Sequence, residues 1–387
     1  MKQQWIKIGT LVLAALFLVS VAGLTAWGLL HNPKGYSLYE NRSLAVPETF
    51  SVETVLDGSF LQSLEPVFSD HITFRDYWLK LYTFLQMEVL RKPAVNGVVV
   101  QEDLLLPVNP VAETPDCRPA AEAMVENLLK LQTTVESYGG TFLFAGIPEQ
   151  SSALRDRYPE GFADYDNVYS SREAALFGTG EAAGLHMLNL TPTMLQNGDL
   201  YYRSDHHYRL QGAYLAYQEI CRTLGISALS EEDFSWKSLP NPFLGSLNRK
   251  LMGMWETEDA LWVYELKKPI PFARWDNGQP VEAAVFDLPD RETAWVQYNA
   301  YMGGDKAETV IQTDRPELPD CLIFGDSFTN ALETFLYTSF DETRSLDLRH
   351  YTEMGILEYV QTYQPDVVIC MQNDTVYLLP EGNGVIE

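Results

Sequence analysis

The chain opens with an unbroken apolar run. Ile8 to Leu30 is 23 residues without a charge, rich in Leu, Val and Ala. At ~1.5 Å per residue a helix of that length covers roughly 35 Å, enough for the hydrocarbon core of a bilayer. Residues 31–50 follow with no period and read as a tether. From Ser51 to Lys92 apolar positions recur at steps of three and four: Leu56, Phe60, Leu61, Leu64 and Phe68, then Phe74, Trp78, Leu81 and Phe84. That period predicts helices. Residues 96–106 (NGVVVQEDLLL) are two apolar runs around an acidic turn, a hairpin pattern. A loop is expected over 107–119, then an amphipathic helix from Ala120 to Tyr138, stopped by Gly139-Gly140.

The pattern then changes to short apolar runs alternating with helical ones. TFLFAGIP (141–148) and LHMLNLT (185–191) read as buried strands, and residues 209–225 as a helix ending at Gly225. The alternation resumes with CLIF (321–324), a helix from Phe328 to Leu336, and SLDL (345–348). A helix from Tyr351 to Tyr363 and the strand DVVICM (366–371) close it. Buried strands alternating with helices predict an α/β fold, a parallel sheet with helices on both faces. Residues 226–315 have frequent Pro, Trp, Gly and Asn and no long helix, so they read as an inserted β-rich or irregular region. The expected organisation is a membrane helix over 1–30, a tether over 31–50, and one domain over 51–387 that carries the insertion.

Composition sharpens this picture. Hydrophobic residues make up 46% and aromatics 12%, enough to build a core and too many for a disordered chain. Lys and Arg number 27 against 53 Asp and Glu, a net charge of −26, which argues against nucleic-acid binding because no basic excess exists to neutralise phosphates. The charge is uneven. Lys2 and Lys7 are the only charged residues before His31, so the remainder carries −28. A short positive segment before the apolar run predicts an uncleaved signal anchor, with the acidic domain outside the cytoplasm. The alternative is a cleaved signal peptide, whose apolar region runs only ~7–15 residues. Ser20-Val21-Ala22 approaches a cleavage site, but the apolar run continues past it.

Cys117, Cys221, Cys321 and Cys370 are widely spaced, without a C-x-x-C pair. Cys321 and Cys370 lie in apolar runs and read as core thiols. A Cys117–Cys221 bridge is compatible with an exported domain. No metal, nucleotide or other cofactor is suggested.

The strongest local chemical signal is CLIFGDSFTNAL (321–332). A buried strand runs into Gly325-Asp326-Ser327 and a helix follows, which places Ser327 where reactive groups collect in open α/β sheets. The helix start and its backbone N–H groups suit a developing oxyanion. Equally, Asp326 and Ser327 are ordinary cap residues by pattern. A serine nucleophile needs a base, and the base an orienting group. Of six histidines, His206 and His207 lie in YYRSDHHYRL (201–210), ahead of a helix. Asp205 and His207 are two apart, so an extended segment would turn both to one side and His206 to the other. Three readings stay open: an Asp205–His207–Ser327 triad, a capping Asp205 with exposed histidines, and a metal on Asp205, His206 and His207.

Asp205-His206-His207-Tyr208, followed by RLQGAY, resembles the signature of the DHHW proteins, with Tyr208 in place of tryptophan. That family is similar to the alginate O-acetyltransferases, whose SGNH-hydrolase-like domain carries Asp-x-His ahead of the nucleophilic serine. The order here is the same, Asp205 and His207 first and Ser327 later. It is permuted relative to ordinary SGNH hydrolases. ENRSL (40–44), FSDHITFR (68–75), FLGSL (243–247), GDSFTNAL (325–332) and DLRHY (347–351) also look family-like. The resemblance covers almost the whole exported part and implies the triad.

One departure matters. The family often has Gly-Asn where this chain has Gly304-Asp305, which removes an asparagine donor to the oxyanion. Asn330, Asn373 or backbone groups are the substitutes. Arg349 is a candidate cation near the site, or a partner of Asp347. Tyr208 packs behind the histidine loop or lies in the core. His206 and Tyr208 join Arg349, Asn330 and Asn373 as candidate substrate contacts.

The resemblance implies an extracytoplasmic O-acetyltransferase or acetylesterase acting on a cell-surface polysaccharide, with an integral-membrane O-acyltransferase as acyl donor. The alternative is a non-catalytic glycan-binding or scaffold subunit, for which the Trp- and Tyr-bearing stretch 226–315 would offer stacking surfaces. The −28 favours a neutral sugar hydroxyl over an anionic glycan, unless a patch around Arg349 reverses the local field.

Overall fold

A computed structural model of the chain describes residues 2–31, 35–108, 116–162, 166–197 and 199–387, without the side chains of 2–6, 22, 25–26, 29–31 and 166–167. It divides into two units. One comprises residues 1–96 with Asn248–Glu256, the other Gly97–Leu247 with Thr257–Glu387.

The smaller unit is helical, as its period predicts. Lys2–His31 is one continuous helix. Among the described residues no helix is long and apolar enough to cross a membrane, and the expected span includes side chains outside the described set. In the expected tether, of which 32–34 lie outside the description, Tyr36–Ser37 pairs with Arg42–Ser43. Ser51 and Thr54 form a capping box that starts the helix Val52–Leu56. Ser59–Asp70 and Arg75–Phe84 follow, the latter running into a π-helical turn at Leu85–Val89. The Arg42 guanidinium grips both oxygens of the buried Asp70 carboxylate, at 2.7 and 2.6 Å. That hydrogen bonding holds the Asp70 carboxyl down to about 2.

The larger unit carries a sheet of eight strands. In spatial order they are Gln279–Val281, Ala273–Asp276, Glu308–Gln312, Glu342–Leu346, Cys321–Gly325, Val367–Asn373, Thr141–Ile147 and Met187–Asn189. The last five are parallel, as the alternation predicts, with Cys321 opposite both Thr343 and Val367, and Val367 opposite Thr141. Alternate residues feed two cores. Leu143, Ala145, Ile323, Ile369 and Met371 pack with the helices Leu210–Leu224 and Phe328–Leu336. Phe142, Phe144, Leu322, Phe324 and Cys370 pack on the other face with Arg118–Ser137 and Ile356–Tyr363. Each large side chain so buried contributes roughly 1.5–3 kcal/mol.

Several expectations change. The sheet is mixed, not wholly parallel. Ala273–Asp276, Gln279–Val281 and Glu308–Gln312 add to it antiparallel, so this part of 226–315 is continuous with the main sheet. Asn277 and Gly278, both at positive φ, make the two-residue turn that obliges the first two of these strands to pair antiparallel. Residues 98–107 form the expected hairpin, but 109–115 of the expected loop lie outside the described residues.

The bridge allowed between Cys117 and Cys221 is not formed, and both sulfurs are buried. Cys117 leads into the helix 118–137 on one face, while Cys221 lies in the helix 210–224 on the other, so the sheet stands between them. The expected strand 345–348 begins earlier, at Glu342, and the following helix starts at Ile356 after Gly355. Asp166–Ala183 is a further helix that the period did not predict.

Candidate active site

The strand Cys321–Gly325 delivers Gly325-Asp326-Ser327 to the sheet's carboxyl edge, and the helix Phe328–Leu336 begins at once, with Ser327 as its first flanking residue. Gly325 is required there. A Cβ on it would come within 2.4 Å of the Met371 carbonyl oxygen and 2.6 Å of the Thr329 methyl. Asp326 ties the turn on two sides. One carboxylate oxygen accepts from the Phe328 N–H at 3.0 Å and the other from the Asn373 amide at 2.6 Å. Burial pushes its carboxyl up, against that N–H and the Arg349 guanidinium.

The histidine loop meets this turn from a distant part of the chain. His207 Nε2 lies 2.7 Å from Ser327 Oγ, and His207 Nδ1 lies 2.6 Å from Asp205 Oδ1. These are hydrogen-bond lengths for a nucleophile, a base and its orienting carboxylate. Asp205 is 2% exposed and His207 5%. Both Asp205 oxygens are engaged: Oδ1 also accepts the His207 N–H at 3.0 Å, and Oδ2 accepts the Ser246 N–H at 2.6 Å. Burial pushes the Asp205 carboxyl up. The His207 imidazole beside it and its hydrogen bond, with His206 and the Ser246 N–H, outweigh it and hold the group well below the usual carboxylate range.

The local shape differs from the extended segment expected. Residues 203–207 form a bend, in which Asp205 accepts from the N–H two residues on. His206 therefore does not point away. Its ring centroid lies 3.8 Å from that of His207, and its Nδ1 meets Ser246 Oγ at 2.6 Å. The acidic and imidazole groups of 205–207 do cluster closely enough to hold an ion. However, both Asp205 oxygens, both His207 nitrogens and the His206 Nδ1 already have protein partners.

The supports of this bend come from a stretch that looked featureless. Asp259, a buried carboxylate, accepts the Ser204 N–H at 2.8 Å, the Ser204 hydroxyl at 2.6 Å and the Arg203 N–H at 3.0 Å. Arg209 reaches the same carboxylate. Gly245 lets two strands of backbone touch, since a Cβ there would sit 2.2 Å from the Ser204 carbonyl oxygen. Tyr298 lies flat on the His207 imidazole, centroids 3.8 Å apart and planes within 5°. Only FLGSL, which holds Gly245 and Ser246, carried a signal for any of these in the sequence.

The remaining candidates are placed as follows. Tyr208 is fully buried and its hydroxyl donates to the Phe328 carbonyl, so it braces the nucleophile helix and offers nothing to a substrate. The Asn330 amide donates to Asp305 Oδ1 at 2.8 Å, and the Asn373 amide to Asp326, so both proposed oxyanion donors are engaged. Arg349 is held by Asp347 and by Asp305, at 2.5 and 2.8 Å. It lines a cleft of about 510 Å³ with Asp326, Gln372 and Glu381. Its charge is thus met by two carboxylates and does not make a cationic patch.

Two family models and several solved structures are similar to this chain. Residues 187–345 match the DHHW protein family, and residues 103–261 match the SGNH hydrolase-like domain of the acetyltransferase AlgX. Among solved structures, Bacillus cereus PatB1 with a sulfonyl adduct is similar at 22% identity and a TM-score of 0.64, covering 75% of this chain and 98% of that one. A DHHW family protein from Eubacterium siraeum is similar at 17% identity and a TM-score of 0.58, covering 74% and 93%. At these identities the likeness is one of fold. No curated protein matches the chain.

Proposed function

We propose that this chain, with its DHHW and SGNH-like acetyltransferase segments, transfers or removes acetyl groups on a cell-surface polysaccharide through Ser327, His207 and Asp205. The observation that carries the reading is the unbroken line of short contacts, Asp205 Oδ1 to His207 Nδ1 at 2.6 Å and His207 Nε2 to Ser327 Oγ at 2.7 Å. Ser327 Oγ attacks the acyl carbonyl carbon as His207 Nε2 takes the hydroxyl proton. Asp205 faces the imidazolium that results. His207 then returns the proton to the departing alkoxide, which leaves an acetyl ester on Ser327. A sugar hydroxyl gives its proton to His207 and attacks that ester; the bond from the acyl carbon to Ser327 Oγ breaks and His207 returns the proton to that oxygen, which completes transfer, while water in place of the sugar gives hydrolysis. The Phe328, Thr329 and Asn330 N–H groups are already bonded, so we assign the oxyanion to the Ser327 N–H at the positive end of the helix.

The acceptor in this reading is neutral. Arg349 is neutralised by Asp305 and Asp347, so it does not offset the −28 of the chain beyond residue 30. Membrane anchorage belongs to the same reading. The helix Lys2–His31 exposes Leu11 and Leu13 at 70%, and apolar exposure continues at Leu56, Phe74, Tyr77 and Trp78. Exposed apolar surface of this kind marks membrane or protein contact. An integral-membrane O-acyltransferase would supply the acetyl group.

Turnover of an acetyl ester by Ser327→Ala and His207→Ala tests the chemistry. Each is expected to lose at least 10³-fold in kcat. Unchanged turnover in both would remove the catalytic assignment. A fluorophosphonate probe separates the enzyme from the glycan-binding subunit, because only an activated Ser327 is labelled and Ser327→Ala abolishes that labelling.

A further inference from the structure

Tyr298 and His207 are 91 positions apart in the sequence, yet among the described residues their rings form the most nearly parallel aromatic contact in the larger unit, 3.8 Å between centroids and 5° between planes. Tyr298 begins the short turn Tyr298–Ala300 and is 5% exposed. It is not free to slide. Tyr301 meets its ring edge-on at 5.0 Å and Tyr202 at 6.4 Å, and Tyr202 is itself stacked on Phe243 at 4.5 Å. Burial raises the Tyr298 hydroxyl well above its ordinary value, so the ring His207 faces is a neutral phenol with an electron-rich face.

The in-plane contacts of the imidazole are already assigned, Asp205 on Nδ1 and Ser327 on Nε2. What remains is its two faces. His206 and Phe328 approach it at a tilt, 39° and 47°, and Tyr298 alone lies flat on it. A flat aromatic face attracts a cation above it, and the more so where water is excluded.

We propose that Tyr298 is a positioning residue for the base: its ring face fixes the plane of the His207 imidazole and favours the imidazolium formed when Ser327 releases its proton. This rests on the triad reading above. The titratable and charged groups that face His207 are Asp205 and His206 from its own bend, Asp326 and Ser327 from the nucleophile turn, and Tyr298, with Tyr208 behind Phe328. Tyr298 lies directly on the imidazole as a neutral phenol with no in-plane hydrogen bond to it, so its removal changes neither a formal charge nor such a bond.

The test compares Tyr298→Phe with Tyr298→Leu in the full-length protein. Loss of the π face disfavours the protonated imidazole. In Tyr298→Leu the acid limb of kcat/KM for an acetyl ester therefore moves to lower pH, and its plateau falls about tenfold. Tyr298→Phe keeps the ring and stays close to wild type. Imidazole NMR of His207 gives the same comparison without turnover: its protonation midpoint falls in Tyr298→Leu and holds in Tyr298→Phe. If Ser327→Ala retains full ester turnover, the triad reading fails, while the NMR comparison still decides the ring contact. Should Tyr298→Leu not fold, phenylalanines of increasing fluorination at 298 replace it, and the midpoint is expected to fall stepwise as the ring face loses electron density. Identical midpoints across the series, or a pure loss of rate with no movement of the acid limb, overturn the proposal.

Discussion

Asp205 keeps its charge in a buried place because four groups answer it: the His207 ring, the His207 N–H, the Ser246 N–H and the His206 imidazole. Asp205→Asn would preserve most of the shape but reverse the demand on Nδ1, leaving the imidazole in the wrong tautomer. Its kcat on an acetyl ester is expected to fall by about 10³–10⁴-fold with the fold intact by circular dichroism. Asp374 is the opposite case. It is buried at the end of the strand 367–373, where its carboxylate accepts the Glu149 N–H at 3.0 Å. Burial, with Glu173 nearby, pushes it up to about 7.

An unfolded Asp releases its proton near pH ~4. Between there and pH 7 the folded chain therefore holds a proton that the unfolded chain has lost, so stability falls as pH rises and levels off beyond 7. Asp374→Asn keeps the acceptor and removes the charge. Its urea midpoint should exceed that of the wild type at pH 8, with the gap shrinking toward pH 4. An equal gap at both pH values would refute this.

The strands and helices around the site have local causes, and their joints are where they break. Gly245 and Gly325 are both positions where a Cβ would strike backbone, at the Ser204 and Met371 carbonyl oxygens respectively. Gly245→Ala must push the 245–246 backbone away from the histidine bend and so stretch the Ser246 N–H bond to Asp205. We expect a loss of about 1–3 kcal/mol in stability and a larger loss of ester turnover than that alone explains. Activity loss without any fall in unfolding midpoint, or the reverse, would separate the two effects. The strand–helix alternation was readable from apolar runs such as CLIF and DVVICM because strands buried on both faces need no polar alternation. The mixed character of the sheet was missed, although Asn277-Gly278 is a hairpin signal, because the flanking runs ARWD and QPV are too short and polar to register as strands.

The two units treat their apolar side chains differently. The larger one buries its apolar side chains against a sheet, while the smaller one leaves Leu11, Leu56, Phe74 and Trp78 in the open. If that surface serves anchorage, the full-length protein should float with liposomes in a density gradient, and a chain lacking residues 1–30 should bind less. Flotation unaffected by that deletion would move the anchor elsewhere. Chelation by EDTA is expected to leave ester turnover unchanged, since the base and its partner are already joined by protein contacts. A loss restored by added metal would favour the cluster of Asp205, His206 and His207 as an ion site instead.

The parts of this protein that follow from neighbouring residues were legible before any coordinates. They include the apolar run 8–30, the helical periods, the buried strands, and the Asp205-to-His207 spacing beside a Gly-Asp-Ser turn. Each is a short-range property of side-chain order, although the stretch 203–207 is a bend and not the extended segment its spacing predicts. Three-dimensional packing settled the rest. It brought Ser327 to His207 across 120 positions and recruited Ser246, Asp259 and Tyr298 from a stretch with no period. It also spent Asn330, Asn373 and Arg349 on Asp305, Asp326 and Asp347. Such contacts depend on which surfaces the core presses together, and no local pattern encodes which distant carboxylate or ring will arrive.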